Sequence, residues 1–277
     1  DNALSATLSL PFDWARHDLS LTYSETLSAL TATTELFEQN VGFSYGVSRV
    51  THRDASSKTR VSFGLRSNAS FREINGSALT PVRSLALRFG YDKERNAEGR
   101  FLAWELGGSA IRVQGDAGWR LLLDGDVQLY QGFGQGQTLL STLRGQLANQ
   151  VMPTAHQFSI GGNGLVRGFE GASVSGSSGI SLSNEVSFAG RWQAHCCAGP
   201  QTQNPFLAGL DPFLFADLGT VWTKGGLTSN RASAGFGFRL NHPKFSANMT
   251  LAVPLSKSGA SQVDGPSLRF SLTPIRF

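Results

Sequence analysis

Apolar residues in this chain recur at every second position rather than every third or fourth, and a period of two gathers side chains on one face only in a β-strand. Phe245, Ala247, Met249, Leu251, Val253 and Leu255 alternate with Ser246, Asn248, Thr250 and Ala252. Ala232, Ala234, Phe236, Phe238 and Leu240 alternate with Ser233, Gly235, Gly237 and Arg239, and Leu85, Leu87, Phe89 and Tyr91 alternate with Ala86, Arg88 and Gly90. Within the body of the strands, charge keeps to the second face. Arg66, Arg88, Glu105, Arg120, Asp124, Asp126, Arg144, Glu185, Asp217, Arg239 and Arg269 all take the phase opposite to the apolar row.

Segments of this kind predict strands near 3–14, 17–28, 37–50, 58–70, 82–94, 100–111, 118–131, 138–151, 179–190, 211–223, 231–241, 244–255 and 266–277. They repeat about every 21 residues, enough for roughly ten residues to cross a bilayer at a tilt and as many again for a connection. A soluble sandwich would place turns every 8–12 residues or so. The connections range from Asn241-His242-Pro243 to the polar stretch 152–178.

Nearly every strand carries an apolar face, and no amphipathic helix is on hand to cover it. Lipid is the natural cover, and closing the sheet removes its unpaired edges. The expected fold is therefore all-β, a transmembrane antiparallel β-barrel with its charged face turned to a polar interior. A soluble β-sandwich or β-helix is the alternative. Composition agrees with the membrane reading: 40% of residues are hydrophobic and 16% charged, against about 25% charged in soluble domains. With 19 Phe and 5 Trp the chain is too apolar for disorder. Its apolar runs are a few residues long, far short of the ~18 of a membrane-spanning helix.

The net charge of +4, from 24 Lys+Arg against 20 Asp+Glu, is scattered along the chain. Without a basic cluster interleaved with aromatics it does not point to nucleic acid. It suits a charged lumen or anionic lipid head groups. The chain starts at Asp1 without a basic and then apolar leader. Thirteen strands are at odds with the even counts of single-chain bacterial barrels. The expectation is that the N-terminal part of the barrel is absent.

The stretch from Ser159 to Glu170 reads Ser-Ile-Gly-Gly-Asn-Gly-Leu-Val-Arg-Gly-Phe-Glu. Its Val166-Arg167-Gly168-Phe169 resembles the VRG(F/Y) tetrapeptide of loop six in the BamA-like superfamily of polypeptide-transporting outer-membrane barrels. Gly161-Gly162 and Ser183-Asn184-Glu185 fit the same context, and Phe215-Ala-Asp217-Leu-Gly219 resembles the (F/G)xDxG motif of the inner barrel wall. Arg-Gly-Phe alone is a modest signal; both motifs in order, about 50 residues apart with a strand between, are a strong one. Together with Gly145-Gln146 they look most like the TpsB transporters of two-partner secretion. Phe277 resembles the C-terminal assembly signal of such barrels.

The resemblance implies a 16-stranded barrel of which these would be the last thirteen strands. It also implies upstream periplasmic POTRA domains and a plug helix, neither of which this sequence contains. Residues 152–178 would be an extracellular loop folded inward. The implied partner is a secreted TpsA-like exoprotein of the adhesin, haemolysin or contact-dependent inhibition toxin type, exported by a monomer without cofactor or metal. An assembly factor that inserts other barrels and a passive porin are the rival functions.

The chemistry of the motif follows from its side chains. Arg167 offers a planar fork of donors suited to a carboxylate, and Asp217 falls in phase with Phe213, Phe215 and Gly219, opposite Leu214, Ala216, Leu218 and Trp222. An Arg167–Asp217 ion pair should pin the loop to the wall, with Glu185 as the competing partner. Gly168 would allow a tight turn, Phe169 would pack between loop and wall, and Gly219 would leave room for close approach.

Other candidates are weaker. His195-Cys196-Cys197 lacks the spacing of a zinc site and reads as an incidental pair or a local disulfide. His17, His52, His156, His195 and His242 are expected in loops or turns, away from any nucleophile, so no enzyme is expected. Gly132-Phe-Gly-Gln-Gly136 has no helix after it to bind phosphate and reads as a turn.

Overall fold

A computed structural model of the protein describes every residue except 1, 13, 32–33, 117, 135, 163–164, 170–172, 189–209, 243, 258–264 and 275–277, and only the backbone of 28–31 and 257. His195, Cys196, Cys197 and Phe277 lie outside the described residues. The strands are β1 (Asn2–Phe12), β2 (Ala15–Thr31), β3 (Thr34–Arg53), β4 (Ser57–Ile74), β5 (Ser77–Ala78), β6 (Val82–Ala97), β7 (Arg100–Val113) and β8 (Trp119–Gly132), followed by β9 (Thr138–Ala148), β10 (Phe158–Ile160), β11 (Val174–Gly176), β12 (Ser178–Ser187), β13 (Leu210–Trp222), β14 (Thr228–His242), β15 (Phe245–Lys257) and β16 (Ser267–Pro274). A single 3-10 turn at Thr154–His156 is the only helical element among the described residues, so no helix there is long enough to cross a membrane.

The main sheet follows the chain, β1-β2-β3-β4-β6-β7-β8-β9-β12-β13-β14-β15-β16, with β5 pairing β4 off this path. β10 and β11 form a separate two-stranded hairpin. The residues gather into two compact units, Asp1–Lys93 with Glu105–Asp124, and Glu94–Trp104 with Gly125–Phe277.

In the first unit β1 pairs β2, β2 pairs β3 and β3 pairs β4, all antiparallel. The alternation sets which side chains turn away from the polar face: Leu85, Leu87, Phe89, Leu121 and Leu123 are exposed, whereas Ser84, Ala86 and Leu122 are buried. The polar face is laced with charge pairs. Arg88 donates to Asp124 at 2.6 and 2.7 Å and to Glu105 at 2.9 Å.

β2, β3 and β4 run 17, 20 and 18 residues, longer than their alternating segments suggest. Polar residues extend the pairing: Glu38 on β3 accepts from Ser70 at 3.2 Å and Arg72 at 3.0 Å on β4. Backbone pairing does not require an apolar face, so periodicity marks the membrane-matched core of a strand and misses its polar extension.

Three histidines stand elsewhere than expected. His17 lies in β2, His52 in β3 and His242 at the end of β14, all within paired strands, because a strand tolerates an aromatic ring at its end as readily as a turn does. His17 sits edge-on to Phe12 and its Nδ1 is 2.7 Å from the Tyr45 hydroxyl.

In the second unit β9, β12, β13, β14, β15 and β16 pair in that order, each antiparallel to the next. Asn241 and His242 remain paired with Ser246 and Phe245, so the turn is tighter than Asn241-His242-Pro243 suggests. Around Gly132–Gly136, Phe133 N–H donates to the Gln137 carbonyl at 3.0 Å and Gln137 N–H to the Gly134 carbonyl at 3.1 Å, closing a turn between β8 and β9. Residues 152–178 are not wholly irregular: they hold the 3-10 turn, the β10–β11 hairpin and the first residue of β12.

Candidate functional site

Strand β13 alternates sharply. Phe213, Phe215 and Asp217 are buried, and Leu214 and Leu218 in the opposite phase are exposed. Its register puts Asp217 opposite Ser183 of β12 and Ser233 of β14, and Phe215 opposite Glu185 and Gly235. The buried row of β13 is thus flanked by hydroxyls, a carboxylate and glycines.

The 152–178 loop comes down onto this row. Gln146 at the end of β9 donates to the carbonyls of His156 at 2.8 Å and Ser177 at 3.0 Å, tying both arms of the loop to one side chain. Met152 N–H donates to the Ser177 hydroxyl at 2.9 Å. Within the loop, Gly162 N–H donates to the Phe169 carbonyl at 2.7 Å. Gly161, Gly162 and Gly168 all have positive φ, where a Cβ would be strained. Val166 also has φ +67°, which for a β-branched residue is a strained backbone held by its surroundings.

Those surroundings are apolar. Ile160, Val166 and Phe169 of the loop bury themselves against Val221 of β13, with Phe158, Leu165 and Val174 around them. A Cβ on Gly219 would lie 2.8 Å from Val166 Cγ2 and 3.0 Å from Ile160 Cγ2, so the missing side chain is what lets the loop seat. A Cβ on Gly168 would sit 3.2 Å from that of Ala252, which places the loop against β15 as well.

Arg167 is at the centre. Its Nε and Nη2 donate to the two oxygens of Asp217 at 2.8 and 2.9 Å, and its backbone N–H donates to Oδ2 at 3.0 Å. Nη1 donates to Glu185 at 2.9 Å and Nη2 also reaches the Ser183 hydroxyl at 3.3 Å. Ser183 in turn donates to Asp217 at 2.7 Å. Glu185 and Asp217 hold the guanidinium together, so Glu185 is a second partner and not a competing one: a guanidinium fork has donors enough for both. Burial opposes the charge on Arg167, and the bonds and charges of Asp217 and then Glu185 outweigh it, raising its pKa.

Three features beyond the sequence motifs complete the site. Phe215 lies under Arg167, with the guanidinium carbon 3.6 Å from the ring centroid, and Phe213 lies under Arg239 at 4.3 Å. Gly235 and Gly237 of β14 carry these rings, since a Cβ there would come within 2.7 Å of Phe215 and 2.3 Å of Phe213. Arg239 pairs with the second oxygen of Glu185 at 2.5 Å. Only the charge phase of Arg239 was visible in the sequence; its tie to Glu185, two strands away, was not.

Against known proteins, the model of the family "Haemolysin secretion/activation protein ShlB/FhaC/HecB" matches residues 1–241. The chain belongs to that family. Direct comparison with characterised protein sequences finds no match. Among solved structures the chain is similar to CdiB from Escherichia coli, with a TM-score of 0.83 and 16% identity over 99% of this chain and 53% of that one. CdiB from Acinetobacter baumannii gives 0.80 and 15%, over 99% and 50%. BamA from Haemophilus ducreyi lacking POTRA domains 1-3 gives 0.69 and 12%, over 99% and 62%. The chain thus spans about half the length of the CdiB chains it matches. What this ShlB/FhaC/HecB family member shares with them is the fold, an outer-membrane β-barrel of the BamA-like kind. In such a barrel one sheet face meets lipid and the other the interior. On β13 the exposed Leu214 and Leu218 take one face of the strand and Asp217, which holds Arg167, takes the other.

Proposed function

We propose that the chain is the translocating barrel of a two-partner secretion transporter, passing a large unfolded exoprotein from periplasm to cell surface, and that residues 152–178 are its extracellular loop six, folded inward, whose release opens the path. The observation that carries this reading is the hold of Arg167 on two neighbouring strands at once, through Asp217 and Glu185. One side chain with a short apolar patch secures the loop to the wall, so one local rearrangement frees it. Membership in a family of secretion/activation proteins favours export over barrel assembly or passive diffusion. The partner is a secreted exoprotein of the adhesin, haemolysin or contact-dependent inhibition toxin type.

On this reading Val166, Arg167, Gly168 and Phe169 form the latch and Phe215, Asp217 and Gly219 its seat. Transport, not catalysis, is the task, and neither cofactor nor metal enters it. The barrel works as a monomer in contact with outer-membrane lipid and lipopolysaccharide. The test is surface delivery of the partner exoprotein by the full protein, intact and with Arg167→Ala. The variant should reach the outer membrane and deliver far less exoprotein; undiminished delivery would remove the latch from the mechanism.

A further inference from the structure

The apolar face of the first unit carries two arginines near one end. Arg83 opens the row that continues through Leu85, Leu87 and Phe89 of β6, and Arg112 closes the row of β7 that contains Leu106. Gln114 N–H donates to the Arg83 carbonyl at 2.8 Å, which sets the two strands side by side and brings Arg112 to the same end and face as Arg83. Both side chains are exposed. Neither has a hydrogen bond, ion pair or ring contact among the described residues. Asp116, beside them in the same pocket, pairs with Arg120.

The two arginines open onto a pocket of about 350 Å³ lined also by Ser67, Leu85, Gln114 and Asp116. An uncompensated arginine on a lipid-facing surface is costly at the bilayer midplane and tolerated at the interface, where a lipid head group can meet it. Of the three connections at that end, 32–33 is short but 75–81 and 114–118 are the longest of the unit, whereas 13–14 and 54–56 at the opposite end are short, and long connections mark the outer end of such barrels. Two planar forks of donors, with a hydroxyl and an amide beside them, suit a sugar head group with two phosphates better than a single phosphodiester.

We propose that Arg83 and Arg112 bind the phosphates of an outer-leaflet glycolipid. The site shares no residue with the one around Arg167 and stands or falls independently of the export reading. It is tested on the full protein in lipid nanodiscs, by native mass spectrometry with three probes: bisphosphorylated lipid A, the same lipid with its phosphates removed, and phosphatidylglycerol. Arg83→Gln or Arg112→Gln should each weaken the bisphosphorylated lipid about fivefold, and the double variant about 30-fold. Binding of the dephosphorylated lipid should not change. Arg83→Lys with Arg112→Lys keeps both charges and should restore most of the binding, which separates lost charge from lost fold. Unchanged affinity in the double glutamine variant overturns the proposal. So does an equal loss for phosphatidylglycerol, because the site would then be a general anion contact.

Discussion

Arg239 donates to the oxygen of Glu185 that Arg167 leaves free, so one carboxylate is shared between a wall cation and a loop cation. Arg239→Gln should therefore loosen the loop without touching any bond of Arg167 itself. A double-mutant cycle of Arg239→Gln with Glu185→Gln should give a coupling of about 1 kcal/mol, as residues of one charge network do. Unfolding of the two single variants and the pair measures it, and strict additivity would mean that Arg239 stands outside the network.

Asp217 and Glu185 are unequal partners. Asp217 receives three N–H groups of Arg167 and the Ser183 hydroxyl, whereas Glu185 receives one N–H from Arg167. Asp217→Asn should free the loop by about 3 kcal/mol, in the range for breaking a buried pair. Glu185→Gln should cost about 1.5 kcal/mol. Hydrogen exchange at Gly162 N–H, which is bonded to the Phe169 carbonyl, reports the difference; the reverse order would contradict the geometry.

Arg167→Lys should behave as a loss and not as a conservative change. A single ammonium cannot meet both oxygens of Asp217, Glu185 and the Phe215 ring in the way a planar fork does. Exoprotein delivery by the lysine variant should fall nearly to that of Arg167→Ala, and near-normal delivery would show that charge alone suffices.

Gly219→Ala should push the loop outward, because the new Cβ would meet Val166 Cγ2 at 2.8 Å. Overpacking of this kind costs about 1–3 kcal/mol. Adding Val166→Gly removes the clashing branch and relaxes φ +67°, so the double variant should recover part of the docking. Protease accessibility of the loop follows both steps, and a double variant looser than Gly219→Ala would refute the contact.

The turn between β3 and β4 has its own pH dependence. His52, then the Ser56 N–H and the Ser57 and Ser56 hydroxyls, hydrogen-bond the Asp54 carboxylate and lower its pKa. A depressed carboxyl stabilises the turn above its unfolded pKa of about 3.9, and the stabilisation is lost as pH falls through the folded value. His52→Gln should raise the Asp54 pKa in a carbon-13 NMR titration; no movement would place the cause in the serines alone.

The strands were legible because an apolar face leaves a mark on every second residue, as in the row from Phe245 to Leu255. Their full length was not, since the polar ends of β3 and β4 pair without that mark. Arg167, Asp217 and Gly219 stood out through motif and phase. Arg239, Ser183 and the glycines beneath Phe213 and Phe215 depend on cross-strand register, which no local pattern carries. The same holds for Glu185: phase gave its face, but only the register shows that it can serve two arginines together.

With Arg167 seated, the quartet of Asp217, Glu185, Arg167 and Arg239 sums to zero. Take the loop away and the wall keeps two carboxylates against one guanidinium, an excess of one negative charge beside an aromatic floor. A segment brought to the vacated seat would meet a surface that is neutralised by a lysine or arginine and repels an aspartate or glutamate, so the empty seat would discriminate by charge among the residues presented to it.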